Sequence, residues 1–242
     1  MQALKIFKLF IFFVLSAALT LAACSFFGCF EKTSIPSQTE PINTTYKTVI
    51  IDAGHGGEDG GASSASGLIE KDLNLEIAAM LCDMLKTQGV EVVMTRTDDR
   101  LLYDRNVDFE GRKKKLDLAA RLEVAKTYEE SIFISIHMNS FSDRRYSGLQ
   151  VWYSPKCPES MVLAQKIQSN TRSKLQPNNK RTIKAADSKI FLLDNAVSPA
   201  VLVECGFLSN PEEAKLLENT QYKRELARIL FESIVEFLAS QR

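Results

Sequence analysis

From residue 47 onward, short runs of β-branched residues alternate with longer stretches whose apolar positions recur every three to four residues. Residues 48–51 (Thr-Val-Ile-Ile) predict a strand, followed by a glycine-rich loop that runs through Gly67. Across residues 71–88, Leu73, Ile77, Met80, Leu81, Met84 and Leu85 fall on one side of a helix, and Gly89 stands where a helix-ending glycine belongs. Residues 90–95 predict a strand, 98–115 a long polar surface loop, 116–128 a helix and 132–136 a short buried strand. A further strand is expected at 148–153 and a helix at 159–175, with Met161, Ala164, Ile167 and Gln168 along one side. Residues 190–193 and 200–203 read as strands, and 211–238 as one or two closing helices. No internal repeat is visible. The alternation predicts a single α/β domain over 47–242, with a mostly parallel twisted sheet covered by helices on both faces.

The start of the chain has a different pattern. Lys5 and Lys8 precede an uncharged apolar stretch over residues 9–30. As a helix it would be about 33 Å long, enough to cross a bilayer core of about 30 Å. Lysines ahead of it keep the N-terminus in the cytoplasm and direct the rest of the chain outward. Within it, Leu21-Ala22-Ala23-Cys24 resembles a bacterial lipobox, in which the cysteine is acylated after cleavage. Residues 1–30 therefore predict a membrane anchor, either a spanning helix or a lipoprotein signal ending at Cys24, with a fully released secreted protein as the alternative, and all three readings make the domain extracytoplasmic. Residues 31–46 are rich in Thr, Ser, Pro and Asn and predict a flexible linker.

Charge narrows the function by exclusion. Of 242 residues, 25% are charged, and Lys+Arg and Asp+Glu both number 30. No basic excess is present to attract nucleic acid, which is excluded as a partner. Outside the anchor only Cys82, Cys157 and Cys205 remain, an odd number without metal-site spacing, which reads as small buried residues rather than a disulfide framework.

Histidine occurs only twice, and each copy follows an apolar strand: His55 after residues 48–51, His137 after 132–136. Glu204 directly continues the run Val201-Leu202-Val203. Burying such a carboxylate costs several kcal/mol unless it is paired or lies beside a cation. In open α/β sheets, ligands bind beyond the carboxyl ends of the strands, so these three residues share one crevice. Two imidazoles need a third ligand to make a catalytic zinc site. Glu70 qualifies, at the start of the first helix, but Asp52, Glu58 and Asp59 compete, and spacing does not choose among them. The inventory points to a metal-assisted hydrolase.

Four motifs, Val49-Ile50-Ile51-Asp52-Ala53-Gly54-His55-Gly56-Gly57, Glu70-Lys71-Asp72-Leu73-Asn74, Ser135-Ile136-His137-Met138-Asn139-Ser140 and Val203-Glu204-Cys205-Gly206-Phe207-Leu208-Ser209-Asn210, occur in this order. Together they resemble the zinc-dependent N-acetylmuramoyl-L-alanine amidases of the AmiA/AmiC type, over nearly all of residues 47–242. The resemblance implies Zn2+ held by His55, Glu70 and His137, with Glu204 as the catalytic glutamate. It also implies peptidoglycan as substrate, cut between the lactyl group of N-acetylmuramic acid and L-alanine of the stem peptide. Ala53 replaces the family's usual proline at a position that is not a ligand. Some members carry a helix that blocks the zinc until an activating protein partner removes it, but no long insertion is evident in the 66 residues between His137 and Glu204. An anchor joined to a bare catalytic domain resembles the germination-specific, spore-cortex subgroup. Arg112-Lys113-Lys114-Lys115 and Lys184-Ala185 resemble that subgroup too. The alternatives are a vegetative cell-wall amidase, a zinc-dependent peptidoglycan peptidase or deacetylase on the same fold, and a non-catalytic wall-binding protein. That last one would be expected to have lost a ligand or the glutamate.

Overall fold

The β-branched runs assemble into one six-stranded sheet. In the computed structural model, residues 44–104, 106 and 111–241 are described. The expected anchor over 1–30, most of the linker and part of the loop expected at 98–115 lie outside the described residues. Among the described residues no helix is long and apolar enough to cross a membrane.

The strands are β1 (Thr48–Ala53), β2 (Glu91–Met94), β3 (Ser131–Asn139), β4 (Gln150–Tyr153), β5 (Lys184–Ala185) and β6 (Ala200–Phe207), arranged in the order β2-β1-β3-β6-β4-β5. Pairs β1–β2, β1–β3 and β3–β6 are parallel, as is the edge pair β4–β5, whereas β4 runs antiparallel to β6. The helices are α1 (Glu70–Thr87), α2 (Lys113–Thr127), α3 (Pro158–Lys174), α4 (Phe191–Asp194), α5 (Pro211–Glu218) and α6 (Thr220–Ala239).

Every residue of β1 is buried, which is why its sequence is apolar without alternation. Side chains of successive strand residues point to opposite faces, so each central strand feeds two cores. Val49, Ile51, Ile132, Ile134, Val201 and Val203 pack with Leu73, Ile77 and Leu81 of α1, Leu163 and Ile167 of α3, and Leu226 and Leu230 of α6. On the other face Ile50, Phe133, Ala200 and Leu202 pack with Leu122 and Ala125 of α2 and Leu192 and Leu193 of α4. Each fully buried aliphatic side chain contributes about 1.5–3 kcal/mol relative to exposure. Helix α1 stops at Gly89, whose φ of +71° lies in the left-handed region that glycine enters without a steric penalty. Helices α5 and α6 are capped by Asn210 and Asn219, whose side chains accept backbone N–H bonds from their first turns.

Two expectations need correction. Residues 190–193, read as a strand, instead fall mostly in the one-turn helix α4 (Phe191–Asp194), and the short strand lies earlier, at Lys184–Ala185. A run of four apolar residues satisfies either period. Here Leu192 and Leu193 enter the second core while β6 is already flanked by β3 and β4. Strands β3 and β6 also extend past their apolar runs to Asn139 and Phe207, so His137 and Glu204 lie within strands rather than after them. Cys82 and Cys205 are buried as expected, whereas Cys157 is half-buried and its thiol donates to Glu159.

Candidate metal centre

His137 and Glu204 are register partners in the adjacent parallel strands β3 and β6, so their side chains leave the same face side by side. His55 arrives differently, two residues beyond the end of β1. Its φ is +61°, a conformation uncommon for a residue with a side chain. Two buried arginines hold that turn. Arg121 Nη2 donates to the carbonyl of His55 at 2.6 Å, and Arg121 Nη1 and Arg96 Nε both donate to that of Ala53 at 2.8 Å. Arg96 Nη2 donates to the carbonyl of Gly54 at 3.0 Å, shared with Asn74 Nδ2 at 3.1 Å. Both guanidiniums are only 1% exposed.

Charge balance for this clamp comes from Asp52 and Asp117. Arg121 Nη1 lies 2.5 Å from Asp52 Oδ1, and its Nε 2.7 Å from Asp117 Oδ2 one helical turn away. Asp52 also accepts from the hydroxyls of Thr95 and Ser135. Burial alone would raise Asp52, but Arg121 and the two hydroxyls outweigh it and hold the carboxyl below its ordinary range.

Glu70 opens α1 and is 3% exposed. Its Oε1 lies 3.2 Å from His55 Nε2 and 3.0 Å from His137 Nδ1. The same oxygen accepts the N–H of Met138, and Oε2 accepts that of Ala62. Burial would raise Glu70, but the hydrogen bonds and charges of His137 and His55 hold it far below the usual carboxylate range. His55 is raised in turn, because Glu70 and Asp59 outweigh the lowering effect of burial. Asp59 Oδ2 stands 2.9 Å from His55 Nδ1, an ion-pair contact outside hydrogen-bond geometry.

One ligand atom from each of His55, Glu70 and His137 lies within 4.8 Å of the others. Two imidazoles and a carboxylate are the donor set of open zinc sites in hydrolases. Two further observations fit an ion at this place. Glu204 Oε2 is buried beside His137 with no hydrogen-bond partner among the described residues. Gly54 and Gly61 are pressed against the donors: a Cβ on Gly54 would overlap the His137 ring, and one on Gly61 would lie 2.5 Å from Glu70 Oε2. Burial raises Glu204 to about 7, partly offset by His137 and reinforced by Glu70.

All four residues expected at the site therefore meet. The other acids considered for the third ligand are engaged elsewhere: Asp52 with Arg121, Asp59 with His55 alone of the two imidazoles, and Glu58 with Tyr103 and Lys113. Sequence reasoning missed Arg96, Arg121 and Asp117. A signal existed for two of them, since Asp117 and Arg121 share the helix stripe of buried Ala125 at spacings of four.

The comparisons agree with this geometry. The family profile described as N-acetylmuramoyl-L-alanine amidase matches residues 49–236. The germination-specific N-acetylmuramoyl-L-alanine amidase of Bacillus subtilis (strain 168) is 36% identical over 195 residues, spanning 81% of each chain. Among solved structures, the CwlD amidase from Clostridioides difficile, in complex with the GerS lipoprotein, is 36% identical with a TM-score of 0.76, covering 80% of this chain and 99% of that one. The amidase AmiC2 of Nostoc punctiforme is 28% identical with a TM-score of 0.66, covering 80% of this chain and 97% of that one. With the profile spanning most of the sequence and both the fold and the donor cluster in agreement, the chain belongs to the N-acetylmuramoyl-L-alanine amidase family.

Proposed function

We propose that the protein hydrolyses the amide joining the lactyl group of N-acetylmuramic acid to L-alanine, with His55, Glu70 and His137 holding a zinc ion and Glu204 moving the proton. The observation that carries this reading is the convergence of three donors beside a buried, partnerless carboxylate oxygen. A zinc ion held there supplies Lewis-acid activation of water and of the scissile carbonyl. Glu204 Oε2 accepts the proton of the attacking water and returns it to the alanine nitrogen, which leaves poorly unless protonated. Burial raises the Glu204 carboxyl and a dication beside it would lower it, opposing effects that suit a group which must both take and give a proton. The Arg96–Arg121 clamp keeps the His55 backbone in place, and Asp59 lies beside the His55 ring.

The domain works outside the cytoplasmic membrane, on peptidoglycan. We further read residues 1–30 as its membrane anchor and 31–46 as a linker. The similarity to a germination-specific relative supports a role in the spore cortex. The similar Clostridioides difficile enzyme, solved with a lipoprotein, supports a lipoprotein partner here.

Glu204→Gln tests the central assignment. The substitution preserves volume but removes the group that accepts and returns a proton. Activity on peptidoglycan should fall by about 10² to 10⁴ while zinc content and melting temperature stay at the parental values. Parental turnover would make the glutamate structural. Loss of zinc would make it a ligand.

A further inference from the structure

Beside the two imidazoles, on the sheet face covered by α2 and α4, lies a cavity of about 200 Å3. It is partly open to solvent. Leu118, Ile190, Phe191, Leu192 and Leu202 form its apolar wall, and the rest of its lining is the two imidazoles, Gly54 and charged side chains.

The charges around it are unequal in their freedom. Asp52 and Asp117 are both bound by Arg121, and Asp59 faces His55. Lys114, on the first turn of α2, and Lys189, just ahead of α4, also line the cavity, one from each wall. Both side chains are exposed, and among the described residues neither ammonium forms an ion pair. Lys114 acts on Asp59 only through space.

A pocket beside the metal donors, lined by two lysines that form no ion pair among the described residues, fits an anion, and the anionic groups of the substrate lie on its peptide side. The glycan next to the lactyl group is an uncharged polyol. The stem peptide continues past alanine with a glutamate whose α-carboxyl is free in some walls and amidated in others. We infer that Lys114 and Lys189 bind the carboxylate of the stem peptide's second residue, so that the enzyme selects free-acid stems over amidated ones. The inference rests on the amidase reading and adds to it a substrate preference set by this chain's own residues.

The test uses the full zinc-loaded chain and peptidoglycan fragments that differ only in a carboxylate or a carboxamide on the second residue. Lys114→Gln, Lys189→Gln and the double variant are compared with Lys189→Arg. With the acid substrate each Lys→Gln should raise KM about fivefold at nearly constant kcat, as expected for a partly exposed ion pair. With the amidated substrate the parent should already show a KM near that of the double variant on the acid, and the substitutions should leave it unchanged. Zinc content should be parental throughout, and Lys189→Arg should retain the preference. Equal KM values for the two substrates in the parent would overturn the inference, as would equal effects of Lys→Gln on both. If neither substrate is cleaved by the parent, it is the amidase reading that fails. Calorimetry with L-Ala-D-Glu blocked as its γ-methylamide, with the α-carboxyl free or amidated, then decides the subsite separately: tighter, lysine-dependent binding of the acid supports it, and equal affinity refutes it.

Discussion

Replacing Arg121 with methionine tests whether the buried clamp shapes the metal centre or merely fills space behind it. The guanidinium makes four short contacts: to Asp52 Oδ1 at 2.5 Å, Asp117 Oδ2 at 2.7 Å, the Ala53 carbonyl at 2.8 Å and the His55 carbonyl at 2.6 Å. Methionine keeps much of the volume but leaves Asp52, which is 0% exposed, without its cation. Removing one partner of such a buried pair costs about 3–5 kcal/mol. In a domain of this size each kcal/mol moves the melting temperature by about 2–4 °C, so calorimetry should record a drop of about 6–20 °C. The pH dependence should change sign as well. In the parent, Asp52 is held below its ordinary range, so its stabilising contribution is present above about pH 4 and is lost as pH falls through the depressed folded value. Without Arg121, burial dominates and raises Asp52, so the variant should lose stability as pH rises above about 4. The double variant Asp52→Asn/Arg121→Met should regain part of the stability, because the charge of fully buried Asp52 is gone and only Asp117 still lacks its cation. It should not regain zinc affinity, because the carbonyl of His55 still lacks its donor and the turn at φ +61° is no longer held. Chelator competition measures that affinity directly. A melting temperature within about 2 °C of the parent, or parental zinc affinity in both variants, would refute the clamp.

The same geometry makes three further outcomes measurable. Glu70→Ala should lose stoichiometric zinc, since two imidazoles alone hold the ion poorly; full occupancy in that variant would pass the ligand role to another acid. Gly54→Ala places a Cβ against the His137 ring, so zinc affinity should fall while the circular dichroism of the folded domain persists; unchanged affinity would mean that the ring has room to move. Glu213 accepts the N–H of Gly148 and of Phe207, both at 2.8 Å, one on each oxygen. Glu213→Gln would set an amide N–H2 against one of these donors, and denaturant melts should show a loss of about 1–3 kcal/mol, with parental stability refuting the pairing.

Much of this protein was legible before any coordinates. The alternation of β-branched runs with helical periodicity sufficed for the α/β class, for β1 and α1, and for the glycine that ends α1, because those signals depend on near neighbours in the chain. The rarity of histidine, its two positions after apolar runs, and a glutamate continuing Val201-Leu202-Val203 pointed to one edge of the sheet, because strand ends gather there in any parallel α/β fold. Sequence spacing left four acids in competition for the third donor, and the family resemblance favoured Glu70. Only the packing of α1 against the ends of β1 and β3 brings a Glu70 oxygen to both rings. Nor did local pattern reveal that His137 and Glu204 are register partners, that β4 opposes β6, or that residues 191–194 coil into a turn of helix. The clamp was the least visible part. Arg96 and Arg121 read as ordinary polar residues, yet they satisfy carbonyls more than forty positions away, as Arg96 does for Ala53 at a separation of 43 and Arg121 for His55 at 66. Local periodicity carries no record of partners that far along the chain. Burial makes them necessary, since a strained, buried turn must find hydrogen-bond donors wherever the tertiary structure can supply them.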